Sequence, residues 1–279
     1  MILGASGRLG GDLFKRFKED SFEISGTYCT HKKNGMIPFN LEEMILENIL
    51  TTPKPSHVII AAAANPRPEL SKDLTKSYES NVPKTKKLIE DCFSKKIIPI
   101  YLSTDNVFDG EKGDYKEGDR TNPLNNYGKM KCEIENHLLN SNKPFILIRM
   151  GKVFGIQNDE TLFKETFEKM QIDKKIICSK DQIFTPLYSE DFYEFIKQAV
   201  QNNYHGVFHL ASTLPITRYE IAEKIKNYFK MDAEIVPCKI NEIGLSEKRP
   251  LKIDLNVEKY KRLTGNSQKP IENFLNLIN

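Results

Sequence analysis

The stretch MILGASGRLGGDLF (1–14) decides the fold. A very short apolar run, Met1 to Leu3, meets glycines at 4, 7 and 10, and the pattern beyond them is helical. Gly4 suits a tight turn, Gly7 lets backbone approach a pyrophosphate, and Gly10 permits close packing of helix on strand. The helix N-terminus would offer its N–H groups to the anion. Three glycines alone are a weak signal, because an ordinary glycine-rich turn reads the same way. Their place strengthens them: they form the first turn of a βαβ series, where a dinucleotide fold needs them.

That series follows downstream. FEISGTY (22–28), HVIIAAAA (57–64), KIIPIYLS (96–103) and FILIRM (145–150) alternate with helical periodicity over 70–92 and 126–139, an order that predicts βαβ units and a parallel sheet. Past residue 150 the short strands KKIIC (174–178), GVFHLA (206–211) and AEIVP (233–237) separate helical segments around 189–202 and 217–229. They predict a second, smaller lobe, with the chain free to cross between the two.

Composition narrows the function classes. The 279 residues are 39% hydrophobic, enough for a sizeable core. The net charge of +3 comes from 41 basic and 38 acidic residues without a dense basic stripe, which argues against nucleic acid as a partner. Cys29, Cys92, Cys132, Cys178 and Cys238 are odd in number and widely spaced, indicating neither a disulfide framework nor a zinc site. No apolar run reaches a membrane span and no signal segment precedes the glycines, so a cytoplasmic protein without membrane association is expected. The sequence admits a homodimer without fixing the oligomeric state.

A site specific for NAD usually places a carboxylate about 20 residues beyond the glycines, to hold the ribose 2′-OH. Here the segment reads GTYCTHKKNG (26–35), and no acid lies between Glu23 and Glu42. Thr30, His31, Lys32 and Lys33, with Arg8, suit a 2′-phosphate instead, so NADPH is expected ahead of NADH. A solvated loop in a lysine-rich chain is the competing reading for any single lysine.

The helix predicted from Asn126 places Tyr127 and Lys131 one turn apart on its apolar side. A lysine beside a tyrosine favours the tyrosinate and brings the phenol toward the working pH range. An isolated YxxxK is more often a core tyrosine with a snorkelling lysine. Context favours chemistry, because PIYLS runs into TDNVFDG, which puts Ser103 and Thr104 at the C-terminal end of a strand, where ligands bind in open parallel sheets.

GxxGxxG (4–10), AAAA (61–64), LSTDNVFDG (102–110), PLNNYGKMK (123–131), RMGKVFG (149–155) and EKRPLKIDL (247–255) occur in the order found in extended short-chain dehydrogenases/reductases. Within them the chain resembles the dTDP-4-dehydrorhamnose reductase group over nearly its whole length. The resemblance implies α/β architecture: a Rossmann-type, doubly wound parallel sheet that binds NADP over 1–150, and a smaller α/β substrate lobe over 151–279. It further implies reduction by NADPH of a keto group, at C4, on a nucleotide-activated deoxysugar in glycan precursor synthesis. Carried over by position, Thr104 would hydrogen-bond the substrate oxygen, Tyr127 would donate the proton, and Lys131 would hold the nicotinamide ribose and tune Tyr127. Gly4, Gly7, Arg8, Leu9, Gly10, Thr30, Lys32, Asn40, Ala61, Ala62 and Ala63 would line the cofactor. Asp105, Asn106, Lys152 and Arg249 would face the sugar nucleotide.

Three departures from the group's pattern stand out, the first two of them at positions expected near the substrate. Asn106 stands where the group usually carries tyrosine, Lys152 where an aromatic is common, and Asn65, Pro66 and Arg67 differ from the usual loop. The regulatory β subunit of methionine adenosyltransferase also resembles these reductases, which supplies an alternative: an NADP-binding, non-catalytic partner. His205 and His209 lie four apart on an alternating strand with no third ligand nearby, so no metal is expected.

Overall fold

Short apolar runs become parallel strands here because both of their faces are covered. In chain order the strands are β1 (Ile2–Leu3), β2 (Thr27–Tyr28), β3 (Ile37–Pro38), β4 (His57–Ile60), β5 (Ile98–Leu102), β6 (Ile146–Met150) and β7 (Val153–Phe154). There follow β8 (Lys175–Ser179), β9 (Ile183–Phe184), β10 (Leu187–Tyr188), β11 (Gly206–Leu210), β12 (Ile216–Thr217) and β13 (Glu234–Cys238). The helices are α1 (Arg8–Glu19), α2 (Leu74–Ser94), α3 (Asn126–Leu139), α4 (Leu162–Asp173), α5 (Ser189–Gln201), α6 (Arg218–Phe229) and α7 (Glu258–Thr264). This computed structural model describes residues 1–62, 74–156, 162–244 and 247–265.

The chain divides into two compact units. One comprises Met1–Thr104, Asn126–Arg149 and Ile196–Phe208; the other comprises Asp105–Asn125, Met150–Phe195 and His209–Asn279. The chain thus passes back and forth between the two units, which are comparable in length. The reason is strand pairing. GVFHLA, read as part of the second lobe, supplies β11, which lies beside β6 at the edge of the main sheet.

The first unit is built on that sheet, ordered β1-β4-β5-β6-β11. The pairs β1–β4, β4–β5 and β5–β6 are parallel, with Ile2 opposite Ile59, Ile59 opposite Ile100, and Ile100 opposite Ile146. On the other side of β1 a parallel bridge joins Ile2 to Gly26, and β2 continues to β3. From β1 the chain therefore winds first one way and then the other, and the reversal falls between β1 and β4, the crevice in which doubly wound sheets bind ligands. β4 and β6 are buried throughout, as expected for parallel strands covered on both faces. Leu88, Ile89, Ile134 and Leu138 are part of the core packed over the sheet.

The second unit has several two-stranded pieces: β7 with β10, β8 with β13, and β9 with β12. Its core joins Phe154, Phe163 and Met170 to Ile221 and Ile225. α6 starts on a capping box, in which Thr217 Oγ1 accepts from the Glu220 amide at 3.1 Å and the Glu220 carboxylate accepts from the Thr217 amide at 2.7 Å. Among the described residues no helix is long and apolar enough to cross a membrane.

Candidate active site

The glycine turn closes where the sequence placed it. Gly4 has φ +83°, and a Cβ there would sit 2.8 Å from the Ala62 amide nitrogen. At Gly10 an added Cβ would stand 2.4 Å from the Gly4 carbonyl oxygen, so only glycine lets α1 pack this closely on the turn. α1 begins at Arg8 with Gly7 at its N-cap, and there is no side-chain cap and no acid in the first turn. The dipole at such an end favours an anion. A dinucleotide pyrophosphate fits this geometry.

Thr27 supports the turn from the next strand. Its Oγ1 accepts from the Gly4 amide at 3.0 Å, and its carbonyl accepts from the Ser6 amide at 3.2 Å. Beyond β2, Thr30, His31, Lys32 and Lys33 are exposed, and among the described residues neither lysine is in an ion pair. Leu9, Asn40, Ala61 and Ala62 are half-buried; Ala63 and the loop residues Asn65, Pro66 and Arg67 lie outside the described residues.

In the same unit, α3 aims Lys131 at the end of β5. Its Nζ donates to the Leu102 carbonyl at 2.8 Å and lies 4.7 Å from the centre of the Tyr101 ring and 5.9 Å from that of Tyr127. Crowding by protein lowers its ammonium from the ordinary lysine value to about 8, and Glu135 opposes that shift. Tyr127 itself is half-buried, and Thr104 is buried directly after β5. The sequence put both Ser103 and Thr104 forward as hydroxyls for a ligand. The structure turns the Ser103 hydroxyl inward, onto the Glu135 carboxylate.

In the second unit, Asp105 and Asn106 open a 3-10 turn, Asp105–Val107. Asn106 Nδ2 donates to Asp105 Oδ1 at 2.8 Å, and Asn106 Oδ1 accepts from Asn125 Nδ2 at 3.3 Å. The amide thus links the buried Asp105 carboxylate to Asn125. Lys152 is solvent-accessible, yet enough protein surrounds it that burial, with Arg218 and Arg249 as further causes, lowers its ammonium to about 8. Glu165 and Asp105 act in the opposite sense. No described residue forms an ion pair with Lys152, Arg218 or Arg249. Arg218 is a cation of this group that the sequence did not single out.

The sequence profile described as RmlD substrate binding domain matches residues 1–278. The chain belongs to this family. It is similar to methionine adenosyltransferase 2 subunit beta of Danio rerio, with 28% identity over 275 residues, covering 94% of this chain and 84% of that one. It is also similar to a dTDP-4-dehydrorhamnose reductase of Aggregatibacter actinomycetemcomitans, with 28% identity over 236 residues, 80% of this chain and 76% of that one. Among solved structures, a hypothetical dTDP-4-dehydrorhamnose reductase from Sulfolobus tokodaii superimposes with a TM-score of 0.84 at 25% identity, covering 97% and 96% of the two chains. A dTDP-4-dehydrorhamnose reductase from Bacillus anthracis in complex with NADP gives a TM-score of 0.79 at 22% identity, covering 99% and 96%.

Two residues of this RmlD-family chain carry structure around the site that its sequence alone did not mark. Thr27 reads as an ordinary strand residue, since nothing local says that its hydroxyl faces the glycine turn. Glu135 continues the spacing of Tyr127 and Lys131 by one further helical turn, and that interval is the signal that could have found it. His209, considered as a metal ligand and set aside, places its Nδ1 2.9 Å from the Tyr115 carbonyl. Among the described residues no group of three metal-ligating side chains occurs.

Proposed function

We propose that this protein is an NADPH-dependent reductase of a keto group, at C4, on a nucleotide-activated deoxysugar. The observation that carries the reading is Lys131, fixed on the Leu102 carbonyl one helical turn from Tyr127, in the unit that also holds the uncapped glycine turn. The relatives named as dTDP-4-dehydrorhamnose reductases, one of them in complex with NADP, support the same chemistry. Gly4, Gly7, Gly10 and the first turn of α1 would hold the pyrophosphate. When bound, NADPH supplies the hydride. Tyr127 would protonate the developing alkoxide, Thr104 would hydrogen-bond the same oxygen, and Lys131 would hold the ribose and favour charge on the phenol. Asp105, Asn106, Lys152 and Arg249 would contact the sugar nucleotide.

Oxidation of NADPH by the pure protein with a panel of 4-keto sugar nucleotides tests the reading. A second reading draws on the methionine adenosyltransferase 2 beta subunits among the relatives: a regulatory partner that binds NADP without turning over a sugar. No oxidation with any member of the panel, together with stable association with a methionine adenosyltransferase catalytic subunit, would favour it.

The acid-free, basic segment after β2 sets the cofactor preference. NADPH is expected to bind at least tenfold more tightly than NADH, about 1.4 kcal/mol, within reach of one phosphate–lysine contact. Titration of both cofactors checks this, and equal dissociation constants would refute the assignment of Thr30 and Lys32.

The same fold supports dehydration of nucleotide hexoses. In the 4,6-dehydratases that the chain resembles distantly, the threonine is followed by two acids; here Asp105 is followed by Asn106, whose amide cannot exchange a proton near neutral pH. Incubation with dTDP-, GDP-, UDP- and CDP-hexoses without added NADPH should yield no product lacking water, as read by mass spectrometry. A dehydrated sugar would overturn the reductase reading.

A further inference from the structure

We propose that Glu135 is a positioning residue of this site: its carboxylate ties the end of β5 to β6 and α3, and so holds Thr104 and Lys131 in register for the reduction read above. The proposal rests on that reading for its chemistry and on geometry for its placement. Glu135, Ser103 and Arg149 are all buried, at 0%, 4% and 2% exposure. One carboxylate oxygen accepts from the Ser103 hydroxyl. The other accepts a fork from Arg149 on β6, with Nε at 3.0 Å and Nη2 at 2.8 Å. The backbone between Leu102 and Thr104 is then held three times: by Lys131 on the Leu102 carbonyl, by the Ser103 amide on the Ile148 carbonyl at 2.7 Å, and by Ser103 on Glu135. Thr104 is the next residue, so the direction of its hydroxyl is inherited from a segment with little freedom left.

Electrostatics couples the same carboxylate to the amine. The groups facing Lys131 are Tyr101 from β5 and Tyr127 and Glu135 from α3, with Arg149 of β6 behind Glu135. Burial pushes the Lys131 ammonium down and Glu135 pushes it up, so without Glu135 the lysine should lose its proton at lower pH. Removal of a carboxylate that served stability alone would lower the melting point and leave the titration of Lys131 and the turnover of folded protein unchanged.

Two variants test this. Glu135→Gln keeps the shape and removes the charge. Ser103→Ala keeps the Glu135–Arg149 pair intact and cuts only the tie to β5, so it covers the case in which Glu135→Gln does not fold. Turnover should fall about tenfold in Ser103→Ala, the worth of one hydrogen bond to a charged acceptor, with KM within about threefold of the parent. In Glu135→Gln the Lys131 titration, followed by NMR of 13Cε-labelled lysine and assigned with Lys131→Arg, should move down by about one pH unit. Unchanged turnover in Ser103→Ala, or an unchanged Lys131 titration in folded Glu135→Gln, overturns the proposal. If the parent protein reduces no sugar nucleotide, the reductase reading fails, and the NMR titration still decides whether Glu135 acts on Lys131.

Discussion

Replacing Tyr127 with phenylalanine is expected to lower turnover of the reducible sugar nucleotide by roughly 10²–10⁴, or about 2.7–5.5 kcal/mol of barrier, the usual worth of a positioned general acid. The substitution removes one oxygen and keeps the ring, which lies beside Lys131 with the ammonium 5.9 Å from its centre. Lys131 is anchored independently on the Leu102 carbonyl, and the glycine turn is built from β1, α1 and Thr27. NADPH affinity should therefore survive in Tyr127→Phe, and the loss should fall on kcat with KM little changed. Lys131→Met should in addition weaken NADPH binding. Steady-state kinetics on an identified substrate, with cofactor titration, checks both. Turnover of Tyr127→Phe within threefold of the parent would remove tyrosine from the proton-donor role.

Arg149→Met is expected to cost about 3–5 kcal/mol of stability, the loss seen when one partner leaves a buried ion pair. The side chains of Arg149 and Glu135 retain only 3% and 1% of their exposure, so the carboxylate left behind has little water to replace the guanidinium. The double variant Arg149→Met/Glu135→Gln removes both charges and should recover much of that loss, because a neutral amide of the same shape can still accept from Ser103. Denaturant titration of parent, single and double variants reads the coupling directly. A single variant within 1 kcal/mol of the parent would mean that water or another group reaches Glu135.

A good part of this could be read from the chain alone, and the reason is the range over which each signal acts. Helix periodicity is local, so α3 falls on Asn126–Leu139 as the pattern reads, and α5 and α6 end within a residue of their expected bounds. The glycines at 4, 7 and 10 are tied to backbone conformation and close approach, which act within one turn. Tyr127 and Lys131 share a helix face whatever the helix packs on. Strand limits were less legible: FEISGTY contributes only Thr27–Tyr28, because pairing with β3 rather than composition sets its length.

What the tertiary structure alone decided involves partners far apart in sequence. Whether GVFHLA joins the main sheet or the second unit depends on which strand edge is vacant, and that edge belongs to β6. Ser103 and Thr104 are adjacent hydroxyls of equal promise on paper. Glu135, 32 residues on, takes the first of them into the interior. Arg149 meets that carboxylate across 14 residues, and Thr27 meets Gly4 across 23. Each of these contacts exists only once strand order has brought the two segments side by side. Periodicity and spacing determine which residues share a face of one element, whereas the burial of a charge or hydroxyl against a particular partner is set by the packing of elements on one another.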